Sequence, residues 1–191
     1  TFLGSSGSEN AFSIAIDSEG SAYVTGVTSS NQFPTTAGSF QPTRPSGGAF
    51  VTKLDPTGST LVYSTYLSGR NGSTGTSIAV DSAGSAYVTG HTFSPDFPLV
   101  NALKTGSNFF KTTDSAANWS NVNSGLNIED VRAIAVTPNA PNTLYAALIS
   151  GPYRSTDGGT TWTKTPTTGL TTAFAQTIAV DPANSSIVYL A

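Results

Sequence analysis

The chain lacks cysteine and methionine altogether, and it has one histidine and 8 lysines and arginines against 11 acidic residues in 191. Without cysteine there can be neither a disulfide nor a thiolate metal site. With His91 as the sole imidazole, a multi-histidine metal centre is excluded, and a Ser-His-Asp set would rest on this one residue. Charged residues make up 10% of the chain, where about 25% is usual. A net charge of −3 leaves no basic stripe to neutralise phosphates, so no nucleic-acid partner is expected. No apolar run approaches the roughly 20 residues that span a bilayer. Even an initiator methionine is missing, so Thr1 is not expected to be the natural start.

Polarity comes instead from Ser, Thr, Asn and Gly, the residues of turns and sheet surfaces. This Lys-poor composition fits a bacterial exported protein, whether extracellular, on the cell surface or periplasmic. The stretch GSAYVTG at 20–26 recurs letter for letter at 84–90. At the same offset of 64, Ser13-Ile14-Ala15-Ile16-Asp17 falls on Ser77-Ile78-Ala79-Val80-Asp81, and Phe33-Pro34 on Phe97-Pro98. Farther on the offset shortens to 44, with Ile134-Ala135-Val136 falling on Ile178-Ala179-Val180. Both halves share one grammar: a short apolar run, a turn, then a strand containing Tyr.

Each unit reads as β. AFVTKLD (49–55) alternates, LVYSTYL (61–67) is β-branched and aromatic, and DSEG, DSAG and DPTG carry the Asp and Gly of tight turns. The expected strands of the first unit lie near 13–17, 22–28, 49–55 and 61–67. Four antiparallel strands repeated at this spacing predict an all-β fold of the β-propeller kind, because such a sheet has two partly apolar faces and only neighbouring blades can cover both. The strand count gives about three and a half four-stranded blades: 13–67, 77–122, 131–165 and the inner half of a fourth at 177–191. Thr1-Phe2-Leu3 is expected to end an outer strand of a preceding blade. The chain then reads as one incomplete propeller domain, 1–191, and as a section of a larger protein.

On the residues TSIAVDSAGSAYVTGHT (76–92), FPTTAGSFQ (33–41) and AFVTKLDPTGSTLVYSTYLSG (49–69), the first half, 1–107, resembles the SBBP family of bacterial β-propeller repeats. The second half, 108–191, resembles the BNR or Asp-box repeat: Ser155, Asp157, Gly159, Thr161 and Trp162 fit its Ser-x-Asp-x-Gly-x-Thr-Trp pattern in full. An earlier copy keeps Asp114 and Trp119 but has Ala116 for Gly and Asn118 for Thr, which puts its tight turn in question. The resemblance implies a structural motif, found in sialidases, sortilin-type receptors, xyloglucanases and photosystem assembly factors. It therefore carries fold and says little of activity.

The carboxylates have structural uses. Asp17, Asp81 and Asp181 close first turns, Asp55 a second turn, and Asp114 and Asp157 belong to the boxes, which leaves Glu9, Glu19, Asp96, Glu129 and Asp130. A glycosidase needs two carboxylates facing across a cleft, whereas Glu129 and Asp130 are adjacent in a loop. Arg44, Arg70, Arg132 and Arg154 are too scattered for a carboxylate-binding cluster. His91 corresponds to Val27 in the other copy, as a surface strand end would. No catalytic residue, cofactor or metal is assigned. Phe33, Phe40, Phe93 and Phe97, on the long loops 29–48 and 93–107, are the candidate ligand-face residues, although each is first expected to anchor its own loop.

The expectation for function is a non-catalytic exported module. It would bind protein or glycan, or build an extracellular assembly by self-association through open blade faces. Two alternatives stand beside it: a fragment of an Asp-box glycoside hydrolase of the xyloglucanase or sialidase kind, and a membrane-complex assembly factor.

Overall fold

Asp-led turns fold each repeat back on itself as an antiparallel meander. The computed structural model describes residues 2–44, 47–98, 108–114, 117–121, 124–126, 131–170 and 174–191. The first sheet holds β1 (Glu9–Ile16), β2 (Ala22–Thr28), β3 (Gly48–Leu54) and β4 (Leu61–Leu67) in sequential order. The second holds β5 (Ser73–Val80), β6 (Ala86–Thr92), β7 (Asn108–Thr112) and β8 (Ser120–Asn121). The third holds β9 (Val131–Val136), β10 (Leu144–Leu148), β11 (Gly151–Ser155) and β12 (Thr163–Lys164). A hairpin of β13 (Ile178–Val180) and β14 (Val188–Leu190) ends the series.

Four letters of the repeated GSAYVTG, its two glycines, serine and tyrosine, have a use in closing the turn and fitting the bulge. Gly20 and Gly84 take φ of 88° and 79°, a left-handed turn conformation that suits glycine. Ser21 and Ser85 donate their N–H groups to the Oδ1 atoms of Asp17 and Asp81, at 2.9 and 2.8 Å. Tyr23 and Tyr87 donate their hydroxyls to the other carboxylate oxygens, at 3.1 and 3.2 Å. The closing Gly26 and Gly90 face bulges in the inner strands, where Phe12 and Thr76 are the extra residues. A β-carbon at Gly26 would collide with the carbonyl oxygen of Asn10, and one at Gly90 with that of Thr74. The bulge also explains why β1 begins at Glu9 and not near 13: the ladder continues through it although the alternation in sequence breaks.

The sheets pack face to face, with the inner strands β1, β5, β9 and β13 as successive neighbours. Ser13 Oγ accepts the N–H of Ile78 at 3.1 Å, and Ser77 Oγ that of Ile134 at 3.3 Å, so one serine position stitches β1 to β5 and β5 to β9. Tyr23, Val51 and Tyr63 of the first blade share a core with Ile78, Val88 and Trp119 of the second. Ala79 and Tyr87 of the second share another with Ile134, Leu144 and Trp162 of the third. Ala133 and Ala147 of the third then meet Ile178 of the last hairpin. This is an all-β propeller arc of three four-stranded blades and half of a fourth. Phe2 and Leu3 lie outside any strand; Leu3 packs instead against Val24, Phe33, Phe50 and Tyr66.

The third blade has Thr137 where the other turns have Asp. Asp181 accepts the N–H groups of Ala183 and Asn184 at 2.8 and 2.9 Å and the Tyr189 hydroxyl at 3.4 Å. Thr137 is likewise followed by Pro, with Tyr145 eight residues on, but its buried hydroxyl has no partner. Thr137→Asp is expected to stabilise the chain by about 1 kcal/mol by restoring these bonds. The denaturant midpoint reads this directly, and a lower midpoint at unchanged slope would count against the turn equivalence.

Candidate functional site

Seven of the described aspartates, Asp17, Asp55, Asp81, Asp96, Asp114, Asp157 and Asp181, sit in hairpin or loop turns and accept backbone N–H groups. In the turn between β11 and β12, Asp157 Oδ1 accepts the Thr161 N–H at 2.8 Å and Oδ2 its hydroxyl at 2.6 Å, while Ser155 Oγ donates to Oδ1 at 2.8 Å. Gly158 and Gly159, with φ of 70° and 90°, close that turn, and Trp162 follows into the core between blades two and three. In the second blade Asp114 accepts from the Asn118 N–H at 2.9 Å and from the Asn118 side-chain amide at 2.7 Å. Asn118 therefore does here what Thr161 does in the other turn, whereas Ala116 lies outside the described residues.

The hydrogen bonds set the charge of these groups. The Thr161 hydroxyl and N–H hold the Asp157 carboxyl below its ordinary value, as the Asn118 side chain does for Asp114. Burial pushes the Asp17 carboxyl up, but bonds from Ser21, Lys53 and Tyr23 outweigh it and the group stays low. Asp55, Asp96 and Asp181 are held low as well, first by the N–H groups of Thr60, Arg70 and Ala183. In the other direction, burial raises the Tyr63 and Tyr87 phenols far above their usual 10.0.

A depressed carboxylate stabilises the fold above its unfolded value of 3.8, and that stability is lost as pH falls through the folded value. A raised phenol stabilises below 10.0 and loses this as pH climbs through its folded value. Thermal stability is therefore expected to be flat between about pH 5 and 9 and to fall on both sides. A melting-temperature series across pH checks this; a maximum below pH 4 would contradict it.

Of the remaining chemistry-bearing residues, Arg44, Arg70 and Asp96 line one pocket together, and the others are dispersed. Arg44 is buried and donates to the carbonyls of Gly47 and Gly69. Arg70 pairs with Asp96 at 2.9 Å, and the Arg154 guanidinium lies 5.9 Å from the Tyr145 ring centre. Glu9 Oε1 accepts the Thr28 hydroxyl at 3.0 Å. Glu129 and Asp130 lie outside the described residues. Among the described residues no group of three His, Asp or Glu side chains is placed to hold a metal.

The four phenylalanines part company. Phe33 is buried against Phe50, ring centres 4.5 Å apart, and its N–H donates to the Tyr66 hydroxyl at 2.9 Å. Phe97 is buried between blades one and two, and Phe40 packs partly against the same core. Phe93 is 76% exposed, its ring edge-on to His91 with centres 5.5 Å apart. Beside it opens a groove of about 470 Å³ between the first two blades, at the end of the sheets that carries the long loops. Reading His91 alone concealed this grouping. The signal was available in the departures between the two copies, Val27 against His91 and Ser29 against Phe93.

The geometry defines the class: a β-propeller built from repeated antiparallel blades. The family model for the beta-propeller repeat, SBBP, matches residues 3–34 and 62–98. No curated protein is significantly similar in sequence. Among solved structures, the GH74 xyloglucanase from Xanthomonas campestris aligns at 19% identity and a TM-score of 0.53, over 90% of this chain and 24% of that one. YCF48 bound to D1 peptide aligns at 13% identity and 0.57, over 95% and 48%. The extracellular domain of a hybrid two-component system from B. thetaiotaomicron aligns at 12% and 0.51, over 95% and 26%. The chain thus spans less than half the length of these proteins, and at such identities the likeness concerns the fold. No helix among the described residues is long and apolar enough to cross a membrane.

Proposed function

We propose that the chain is a non-catalytic, exported propeller module that engages protein or glycan partners and builds an assembly through its open blade faces. One observation carries this reading. The isoleucine of the inner strand is buried at Ile78, Ile134 and Ile178, 4–6% exposed, because a blade lies over each. The same position in the first blade, Ile14, is 63% exposed. The tyrosine of the next strand is buried at Tyr23 and Tyr87, yet Tyr189 in the last hairpin is 58% exposed. Within these 191 residues the two ends of the arc carry the two halves of an interface that is otherwise formed repeatedly within the chain, so a further blade, of this protein or of another copy, fits against each. Turn-bound aspartates support a structural use of the carboxylates, and the Ser155–Trp162 turn supports kinship with the Asp-box repeat. The two repeat dialects, 1–107 and 108–191, form one domain in this reading.

Burying an isoleucine and a tyrosine of this kind is worth on the order of 1.5–3 kcal/mol each, enough to drive association at micromolar concentration when several act together. Sedimentation of the purified chain is expected to show concentration-dependent self-association, abolished by Ile14→Asp together with Tyr189→Asp. A compact monomer at every concentration would overturn the assembly role.

A further inference from the structure

We infer that the groove between the first two blades binds a short neutral carbohydrate, with the Phe93 ring as its stacking platform. This deepens the glycan arm of the proposed function and rests on the reading of the chain as a binding module. Blades one and two agree closely around the groove. Thr28 and Thr92 accept the N–H groups of Ser30 and Ser94 at 2.9 and 3.1 Å, and the pairs Asn10–Val27 and Thr74–His91 occupy the same ladder positions. On that shared frame the second copy has exchanged an aliphatic and a hydroxyl side chain for two rings, both lining the groove. In the first blade Ser29 has a structural task, since its Oγ accepts the Ser8 N–H at 2.8 Å. Phe93 replaces that small group with a ring left mostly in water, packed at its edge against His91, so little of its apolar surface is buried by the fold.

The other lining selects the ligand class. Asn10, Ser29, Asn71 and Thr74 offer amides and hydroxyls, and among the described residues no Asp, Glu, Lys or Arg lines the groove. A phosphorylated, acidic or basic ligand would surrender hydration here without an opposite charge in return. Among the described lining residues an apolar peptide would find only Phe93 and Val27 as greasy partners. A pyranose suits both parts: its C–H face lies on an aromatic ring, and its hydroxyls exchange hydrogen bonds with amides and hydroxyls. The volume of about 470 Å³ falls within the roughly 300–1,000 Å³ of small-ligand clefts.

The test titrates the chain with short neutral oligosaccharides of the β-glucan, xyloglucan, mannan and galactan types, and with an uncharged extended peptide, following chemical shifts by NMR. Phe93→Ser and His91→Val each install the residue the first blade already carries, so the fold is retained. Ile14→Asp controls for the open blade face. At least one sugar is expected to bind in the range of about 0.01–10 mM, with perturbations confined to the groove. Phe93→Ser is expected to weaken it about tenfold or more, and Ile14→Asp to leave it unchanged. No binding by any sugar, equal binding by Phe93→Ser, or preference for the peptide would overturn the inference. Sugar binding by a strict monomer would leave the groove standing and sink the assembly role. Self-association without sugar binding would do the reverse, and cleavage of the sugar during titration would sink the non-catalytic reading.

Discussion

Alanine in place of Trp119 or Trp162 is expected to destabilise the chain by roughly 3–5 kcal/mol, a large share of the stability of a domain. Both indoles are buried at a seam between blades: Trp119 joins the core shared by blades one and two, and Trp162 the core shared by blades two and three. Each is set in place by the aspartate turn just before it, so removal leaves a cavity that two sheets must close together. The seam covers the apolar faces on either side, and losing it exposes strands from both blades. Chemical denaturation of each variant against the parent measures the effect, and a loss under 1 kcal/mol would mean that the blades do not depend on these seams. Trp119→Phe, which keeps most of the volume and removes a buried indole N–H that has no partner, is expected to cost far less.

The second large effect falls on glycines that look ordinary. Gly90→Ala or Gly26→Ala is expected to cost on the order of 3 kcal/mol, since the added methyl must displace the backbone carbonyl of Thr74 or Asn10 rather than a movable side chain. Gly38→Ala is the matched comparison. Gly38 has φ of 77° with nothing within 4 Å, so its cost is backbone strain alone, about 1–2 kcal/mol. The ranking is the test: if Gly38→Ala proves as costly as Gly90→Ala, the close approach at the bulge does not govern these positions. A loss at Gly90 should also weaken sugar binding, because the bulge residue Thr76 and the groove residue Thr74 belong to the same stretch of β5.

Recurrence made the fold legible. GSAYVTG written twice, and isoleucine at positions 14, 78, 134 and 178, gave strand order and blade count, and the observed sheets follow them. Local rules were enough where the determining partners lie a few residues away, as for Asp17 with Ser21 or Asp157 with Thr161. They failed where the partner is distant or the pattern slips. The β1 bulge starts the strand at Glu9, ahead of any alternation, and the four phenylalanines looked alike on their loops although Phe33 and Phe97 are buried and Phe93 is not.

The sequence by itself therefore determined an all-β repeat architecture, the turns that close it and the structural use of most carboxylates, because these depend on spacing within one blade. Tertiary structure decided which copies of an identical position are covered, leaving Ile14 and Tyr189 in water, and it brought His91, Phe93 and Asn10 around one groove. The physical reason is the same in both cases. A blade buries its faces against neighbours tens of residues away, so exposure and grooves belong to the seams between repeats and are written in none of them singly.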